Sequence, residues 1–459
     1  MIDRLLTGVA YHGGPVMTAL RLSPETFAER RRRVLEQLPP GGAMLLPTHG
    51  ELTRSNTTSF PFRPHSDFYY LSGFPEPDAW LLLKREGEDA GYHLFVRPRD
   101  PARETWTGVR FGEEGAKERF GADFAWPLAD LDEHLTRLLA DVDVLYYAFG
   151  RHPAKERRVH RVLGRARLGR KPELGPHSLV DPGGLLDDMR LIKSAEELAV
   201  MRTGVEISTE AHIEAMRAVR AGMHEYEIQA LVEYTFRRRG AWGWAYPSIV
   251  AGGANACILH YVSNEGVFGE GELMLIDAGA EVDGYATDIT RTTPVGARFE
   301  GAQRDAYEVV LEVQRKTIAG VVKGASINAL HEQVLRDLTQ GMVDLGVLKG
   351  NVETLVEEKE YEAYYPHRTS HWLGVDVHDV GRYNLRAGPH KPLEPGQVLT
   401  VEPGLYFPPD DESLPEGFRG MGIRIEDDVL VTDGAPEVLT AGVPKAVDDV
   451  EAIRREALG

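Results

Sequence analysis

Apolar positions recur along this chain in two regimes. Through roughly the first 180 residues, short apolar runs alternate with stretches of helical period, the alternation of an α/β domain. The pattern predicts a helix that opens at Ser23 as its cap with Pro24 in first position, where a missing N–H costs little. Strands are predicted at Ala43 to Leu46, Phe68 to Leu71, Trp80 to Leu83, His93 to Arg97 and Val144 to Phe149, and helices around 129–140 and 153–167. Turn-rich strings such as GFPEPD and RPRDP separate them. Residues 1 to 18 carry no pattern and receive no element.

Pro182, Gly183 and Gly184 interrupt any element, and the pattern changes there. This divides the chain into 1–184, an α/β domain suited to closing a cleft or building an oligomer, and 185–459, an α+β domain whose sheet carries the chemistry. The second domain starts with Ser194 and Glu197 spaced as a capping box. Its first helix should stop near Gly222, and a second spans about Glu225 to Arg239, with three arginines against the negative end of its dipole. Further helices are predicted at about 302–322 and 326–345, with strands between and beyond them. Asp283-Gly284 signals a two-residue hairpin, because both positions tolerate positive φ. That turn sets residue 277 opposite 290 and brings Asp277 and Asp288 to one face. In GIRIEDD, period two separates Ile423 and Ile425 from Arg424 and Glu426.

Composition narrows the class of function. The chain has 459 residues, too many for one typical core, and 27% of them are charged, as in ordinary globular proteins. A net charge of −19 argues against general affinity for nucleic acid or anionic membrane. The arginine runs 30–33 and 237–239 read as solvated helix faces. One cysteine, Cys257, fits a reducing compartment, hence the cytoplasm, and reads as a small buried hydrophobe. No apolar run approaches the roughly 20 residues of a membrane span, and the first residues do not read as a secretory signal.

The chemistry gathers late in the chain, at Asp277, Asp288, His371, Glu402 and Glu426, each in a stretch that reads as a strand. Carboxylates about 4 Å apart repel by roughly 4 kcal/mol per pair at an effective dielectric of about 20. Two divalent ions cancel four such charges. Oxygen donors with one imidazole suit manganese, with cobalt or zinc in its place, and a water bridging two such ions becomes a nucleophile near neutral pH. The reaction class is hydrolysis of an amide or ester.

The ordered strings FRPHSDFYYLSGFPEPDAWLLL, LIKSAEELAVMR, GGANACILHYVSNE, LIDAGAEVDGYATDITRT, HWLGVDVHD, LTVEPGLY and GIRIEDD resemble the aminopeptidase P family of pita-bread metallopeptidases over most of the chain. The resemblance implies a creatinase-like α/β N-terminal domain followed by an α+β pita-bread catalytic domain. It implies that His371 and Glu402 bind one metal and Asp277 the other, with Asp288 and Glu426 bridging. Glu402 then handles protons as general base and acid, His260 and His367 line the substrate site, and His378 steadies the scissile carbonyl or tetrahedral intermediate. Arg424 is expected to hold a carboxylate from outside the metal shell, Tyr406 and Arg386 to touch substrate, and Trp106 to close a neighbouring subunit's site in a homodimer or homotetramer. Trp242, Trp244 and Tyr246 are candidate walls for a proline ring. Arg368 and Thr369 depart from the family's glycine and small or apolar residue, which bears on access near His367. The implied substrates are peptides with proline second. The alternatives are a prolidase restricted to Xaa-Pro dipeptides, a methionine aminopeptidase, a creatinase, and a non-catalytic pita-bread binding module.

Overall fold

The computed structural model describes residues 22–167, 175–385 and 390–459, so the stretch 1–18 and Arg386 lie outside the described residues. Backbone contacts divide the chain into two units, Met1–Leu186 and Asp187–Gly459.

In the first unit a six-stranded mixed sheet runs in the spatial order Phe124–Pro127, Gly91–Val96, Trp80–Lys84, Gly42–Pro47, Val144–Tyr146, Ser178–Val180. The three middle strands pair antiparallel, and Val144–Tyr146 lies parallel to Gly42–Pro47. Leu45, Leu82, Phe95 and Leu145 meet Leu135, Leu138 and Val162 of the flanking helices in one apolar core. Ser23 caps the helix Pro24–Gln37 through its side chain. Two expectations fail here. Residues 68–71 are not a strand but the middle of the helix Ser66–Ser72, capped by His65 and stopped by Gly73 at φ 63°. An apolar run buried all round carries no period, so its cap and its glycine decide the element. Arg30 and Arg31 are not solvated but buried. Their guanidinium groups lie 4.0 Å from the Tyr70 ring centre and 4.1 Å from that of Tyr92, and donate to the carbonyls of Tyr70 and Leu71. Arg32 and Arg33 face solvent, as do Arg237 to Arg239.

The second unit is strand-rich with long covering helices. Ser194 and Glu197 form a reciprocal capping box on the helix Ala195–Ala218, which ends before Gly222, and Glu225–Arg238 follows. Ala302–Ala319 and Ile327–Asp344 form the later pair. Strands Ile249–Gly252, Leu273–Asp277 and Thr290–Pro294 form one antiparallel sheet, in which Asp277 stands opposite Thr290. The register follows from the turn. Val282 pairs with Tyr285 across Asp283 at φ 47° and Gly284 at φ 78°, both in the left-handed region that a tight hairpin requires. Below the turn the ladder narrows at Gly279, where a Cβ would come within 1.7 Å of the Thr287 carbonyl oxygen. No other residue fits there. A second sheet joins Val398–Val401, Asp427–Leu430 and Glu437–Val438, and Gly404–Phe407 pairs with Met421–Arg424.

Strand context for the five carboxylate and imidazole positions holds at Asp277 alone. Asp288, His371, Glu402 and Glu426 occupy the short breaks beside strands. A broken ladder frees the backbone to turn a side chain inward, while neighbours such as Ile423 and Ile425, both fully buried, fix its depth at about 1.5–3 kcal/mol each. Among the described residues, no helix is long and apolar enough to cross a membrane.

Candidate metal centre and active site

All five positions converge on one cavity of about 910 Å³ in the second unit. His371 Nε2 lies 3.3 Å from Asp288 Oδ2 and 3.6 Å from Glu402 Oε1. Ligating atoms of Asp288, His371 and Glu426 lie within 4.8 Å of one another. Asp277 Oδ2 lies 2.6 Å from the Arg424 guanidinium. One hydroxyl joins the two hairpin acids: Tyr246 Oη is 2.6 Å from Asp277 Oδ1 and 2.5 Å from Asp288 Oδ1.

Each side chain is aimed by what lies behind it. The Nδ1–H of His371 meets the Trp372 carbonyl at 2.9 Å, which turns Nε2 toward the carboxylates. The Thr290 hydroxyl donates to Glu426 Oε2 at 2.7 Å, and Arg424 Nε donates to the same hydroxyl at 3.1 Å. Glu402 is fixed through its own N–H on the Thr369 carbonyl at 2.9 Å. Behind the site, Arg291 binds Asp427 at 2.7 Å, with both side chains buried. Arg190 and Lys193 hold Asp379 at 2.6 and 3.1 Å and so anchor the loop that carries His371 and His378. Removing one partner of such a buried pair typically costs about 3–5 kcal/mol.

The electrostatics are those of a site built for cations. Burial, then the charges of Asp288, Glu402 and Asp277, hold Glu426 well above the usual carboxylate range. Burial lifts Glu402 to about 7 against the pull of His371, and Asp277 is raised by burial despite Arg424. Burial works to lower His371, but the Asp288 hydrogen bond and the charges of Glu402 and Asp288 outweigh it and carry the imidazole up to about 9. Four carboxylates, one imidazole and one guanidinium in a buried cluster fit a pair of divalent ions. Two such ions cancel the four acids and leave Arg424 to balance one further negative charge.

These directions fix a pH dependence. Without metal, Glu402 favours the fold when protonated, so its contribution is complete below its ordinary 4.5 and is lost as pH rises through about 7. His371 adds a contribution complete below 6.5 and lost through about 9. Chelator-treated protein should therefore lose thermal stability as pH rises from 4.5 to 9, and divalent metal should restore most at the alkaline end, releasing protons as it binds. Scanning calorimetry with and without chelator measures this. A metal-induced rise in Tm no larger at about pH 8 than at about pH 5 contradicts it.

The other sequence candidates fall as follows. His260, His367 and His378 all line the cavity. His378 packs edge-on against His371 at 4.4 Å between ring centres, and burial, then the His371 charge, lowers it. His367 Nε2 meets Tyr406 Oη at 2.8 Å, and burial, then the Arg424 charge, pushes it down to about 3. Tyr406 is buried, its hydroxyl set between His367 and Arg424, so it supports the site from behind. Of the three aromatic wall candidates, only Tyr246 lines the cavity, and its hydroxyl serves the acids. Trp244 sits in a short strand opposite Ala280, and the Trp242 N–H donates to the Glu281 carbonyl. Arg368 is exposed, lines the cavity and reaches Asn328, whereas Thr369 is buried under His331 and Tyr365. Cys257 donates to the Phe407 carbonyl at 3.3 Å, and burial lifts its thiol to about 11, which leaves it inert. Trp106 belongs to the first unit, on the helix Pro101–Thr107, 87% exposed. Sequence reading missed the supporting roles of Tyr246 and Thr290 and the Arg190–Asp379 anchor.

Comparison with known proteins places the chain in a family. The Metallopeptidase family M24 matches residues 199–433, and the aminopeptidase P N-terminal domain matches residues 27–146. The Xaa-Pro aminopeptidase of Escherichia coli (strain K12) is 42% identical over 434 residues, covering 94% of this chain and 98% of that protein. Xaa-Pro aminopeptidase 3 of Homo sapiens is 38% identical, covering 88% of this chain and 79% of that protein. Among solved structures, Pseudomonas aeruginosa aminopeptidase PepP superposes with a TM-score of 0.93 at 44% identity, covering 96% of this chain and 99% of that one. An Escherichia coli aminopeptidase P variant in complex with substrate superposes with a TM-score of 0.92 at 42% identity, covering 95% and 99%. With its aminopeptidase P N-terminal domain, its pita-bread M24 catalytic domain and this similarity along nearly its whole length, the chain belongs to the aminopeptidase P family of metallopeptidases.

Proposed function

We propose that this protein removes the N-terminal residue from peptides whose second residue is proline, using two divalent ions held by Asp277, Asp288, His371, Glu402 and Glu426. The observation that carries this reading is the convergence of those five side chains on one cavity in a chain of this family. His371 and Glu402 would hold one ion and Asp277 the other, with Asp288 and Glu426 between them. Manganese suits the oxygen-rich donors best, with cobalt or zinc able to substitute. Bound there, the ions supply Lewis acidity to the scissile carbonyl and acidify a water enough for it to attack at neutral pH.

The chain's own groups do the rest. Glu402, lifted to about 7 by burial, would take a proton from the attacking water and return it to the leaving proline nitrogen. His378, beside His371 at the cavity wall, would donate toward the carbonyl oxygen, and His260 and His367, which line the same cavity, would border the substrate. An Xaa-Pro bond offers no N–H, so recognition must come from the carbonyl and the ring. Ile249, Leu259, Val262 and Val377 supply apolar wall for that ring.

The HWLGVDVHD string and the similarity to Xaa-Pro aminopeptidases along nearly the whole chain favour an aminopeptidase over a prolidase. By the family resemblance Trp106, exposed here, would reach a neighbouring copy's site in a homodimer or homotetramer, and the single Cys257 fits a reducing compartment such as the cytoplasm. The deciding experiment is a panel of Xaa-Pro-Yaa tripeptides, matching Xaa-Ala-Yaa peptides and Xaa-Pro dipeptides, run with manganese, cobalt and zinc. Turnover should need metal and proline, and tripeptides should outrun dipeptides. Folded, metal-loaded protein that ignores proline, or that prefers dipeptides, refutes the reading. Trp106→Ala should lower the assembly state seen by light scattering or raise KM; neither change would remove its role between subunits.

A further inference from the structure

Among the described residues, the first unit holds its own convergence of metal-ligating atoms. His49, His65 and His152 each bring a ring nitrogen to within 4.8 Å of the others. Their ring centres are 5.0 to 6.2 Å apart with planes inclined by 55° to 82°, so the rings meet at edges and do not stack. The fold explains the meeting. Gly42–Pro47 and Val144–Tyr146 are parallel neighbours; His49 follows the carboxyl end of the first, and His152 follows that of the second, just before the helix Pro153–Arg167. Open α/β sheets place ligands at the carboxyl ends of parallel strands. His65, the cap of the helix Ser66–Ser72, completes the group.

The backbone at all three positions is pinned. The His49 carbonyl accepts the Asp78 N–H at 2.7 Å, the His65 N–H donates to Thr48 Oγ1 at 2.9 Å, and the His152 N–H donates to Glu156 Oε1 at 2.8 Å. His65 Nδ1 accepts the Asp67 N–H at 3.3 Å, a long cap that ligation through Nε2 would give up. Burial, then the neighbouring imidazoles, Lys155 and Arg63, pushes His49 down to about 4, and burial and Lys155 lower His152. Neutral imidazole is the form that ligates a metal. Lys155 itself is tied to the Thr48 carbonyl. Its charge and that of Arg63 favour a small anion as the remaining ligand.

We propose that His49, His65 and His152 form a separate mononuclear site for zinc, with the fourth position open to water or a small anion. Three imidazoles with one open position is a zinc ligand set, whereas the carboxylate cavity of the other unit suits harder ions. The proposal stands whether or not the peptidase reading does.

The full-length protein tests it. Chelator-stripped protein is loaded with excess zinc, desalted and analysed for metal per chain, beside His49→Ala and His152→Ala. Each variant should hold one zinc fewer than the parent and keep its activity with manganese. Equal zinc content in parent and folded variants overturns the site. Should both variants fail to fold, manganese-saturated parent protein is titrated with one equivalent of cobalt. An intense visible band of tetrahedral cobalt supports the site, and its absence shows that the three rings only pack.

Discussion

Asp288→Ala should leave a folded protein with no measurable peptide turnover. Asp288 faces His371 Nε2 at 3.3 Å and shares the Tyr246 hydroxyl with Asp277, the position that the proposed metal shell requires of it. The loss should exceed the roughly 10–100-fold that removal of an outer-shell partner causes. The fold should survive, because Tyr246 keeps Asp277 at 2.6 Å and the backbone N–H of residue 288 keeps Asp428. Removing one acid from a cluster of four also relieves repulsion in the metal-free state. The variant should therefore unfold no more easily than the chelated parent, while the rise in Tm that metal gives the parent disappears. Activity within tenfold of the parent, at matched metal, would show that Asp288 is not a ligand.

Glu402→Gln should separate shape from proton transfer. Gln fills the same volume and can keep the hydrogen bond from the Thr400 hydroxyl, 3.3 Å from Glu402 Oε1. It cannot carry a proton between water and leaving nitrogen, and it offers the metal a weaker, neutral oxygen. A fall in kcat of about 10²–10⁴ is expected, the usual worth of a positioned acid–base group. Steady-state kinetics at saturating manganese, with metal content measured in parallel, checks it. An unchanged kcat would assign proton handling elsewhere in the cavity.

Much of the site could be read from the chain because its geometry is local. The Asp283-Gly284 pair accepts positive φ at both turn positions, and from that turn the pairing of 277 with 290 follows by counting. The Ser194–Glu197 capping box and the helix stops were legible for the same reason: each depends on residues a few positions apart. What escaped depends on partners far away in sequence. Arg30 and Arg31 look like a solvated run until Tyr70 and Tyr92 cover them. Phe68 to Leu71 look like a strand because burial on all sides erases the period, and only His65 and Gly73 mark a helix. Tyr246 reads as an apolar wall, yet acids 31 and 42 residues later claim its hydroxyl. The Arg190–Asp379 anchor spans 189 residues, with no local signal at either end.

Two cations among five side chains are the centre of the proposed chemistry. Crystals of the full-length protein soaked in manganese, with data collected at a wavelength where manganese scatters anomalously, test this directly. Two anomalous peaks should appear, each ligated by members of the set Asp277, Asp288, His371, Glu402 and Glu426. A cavity with no peak at saturating manganese, or peaks ligated by other residues, would contradict the account.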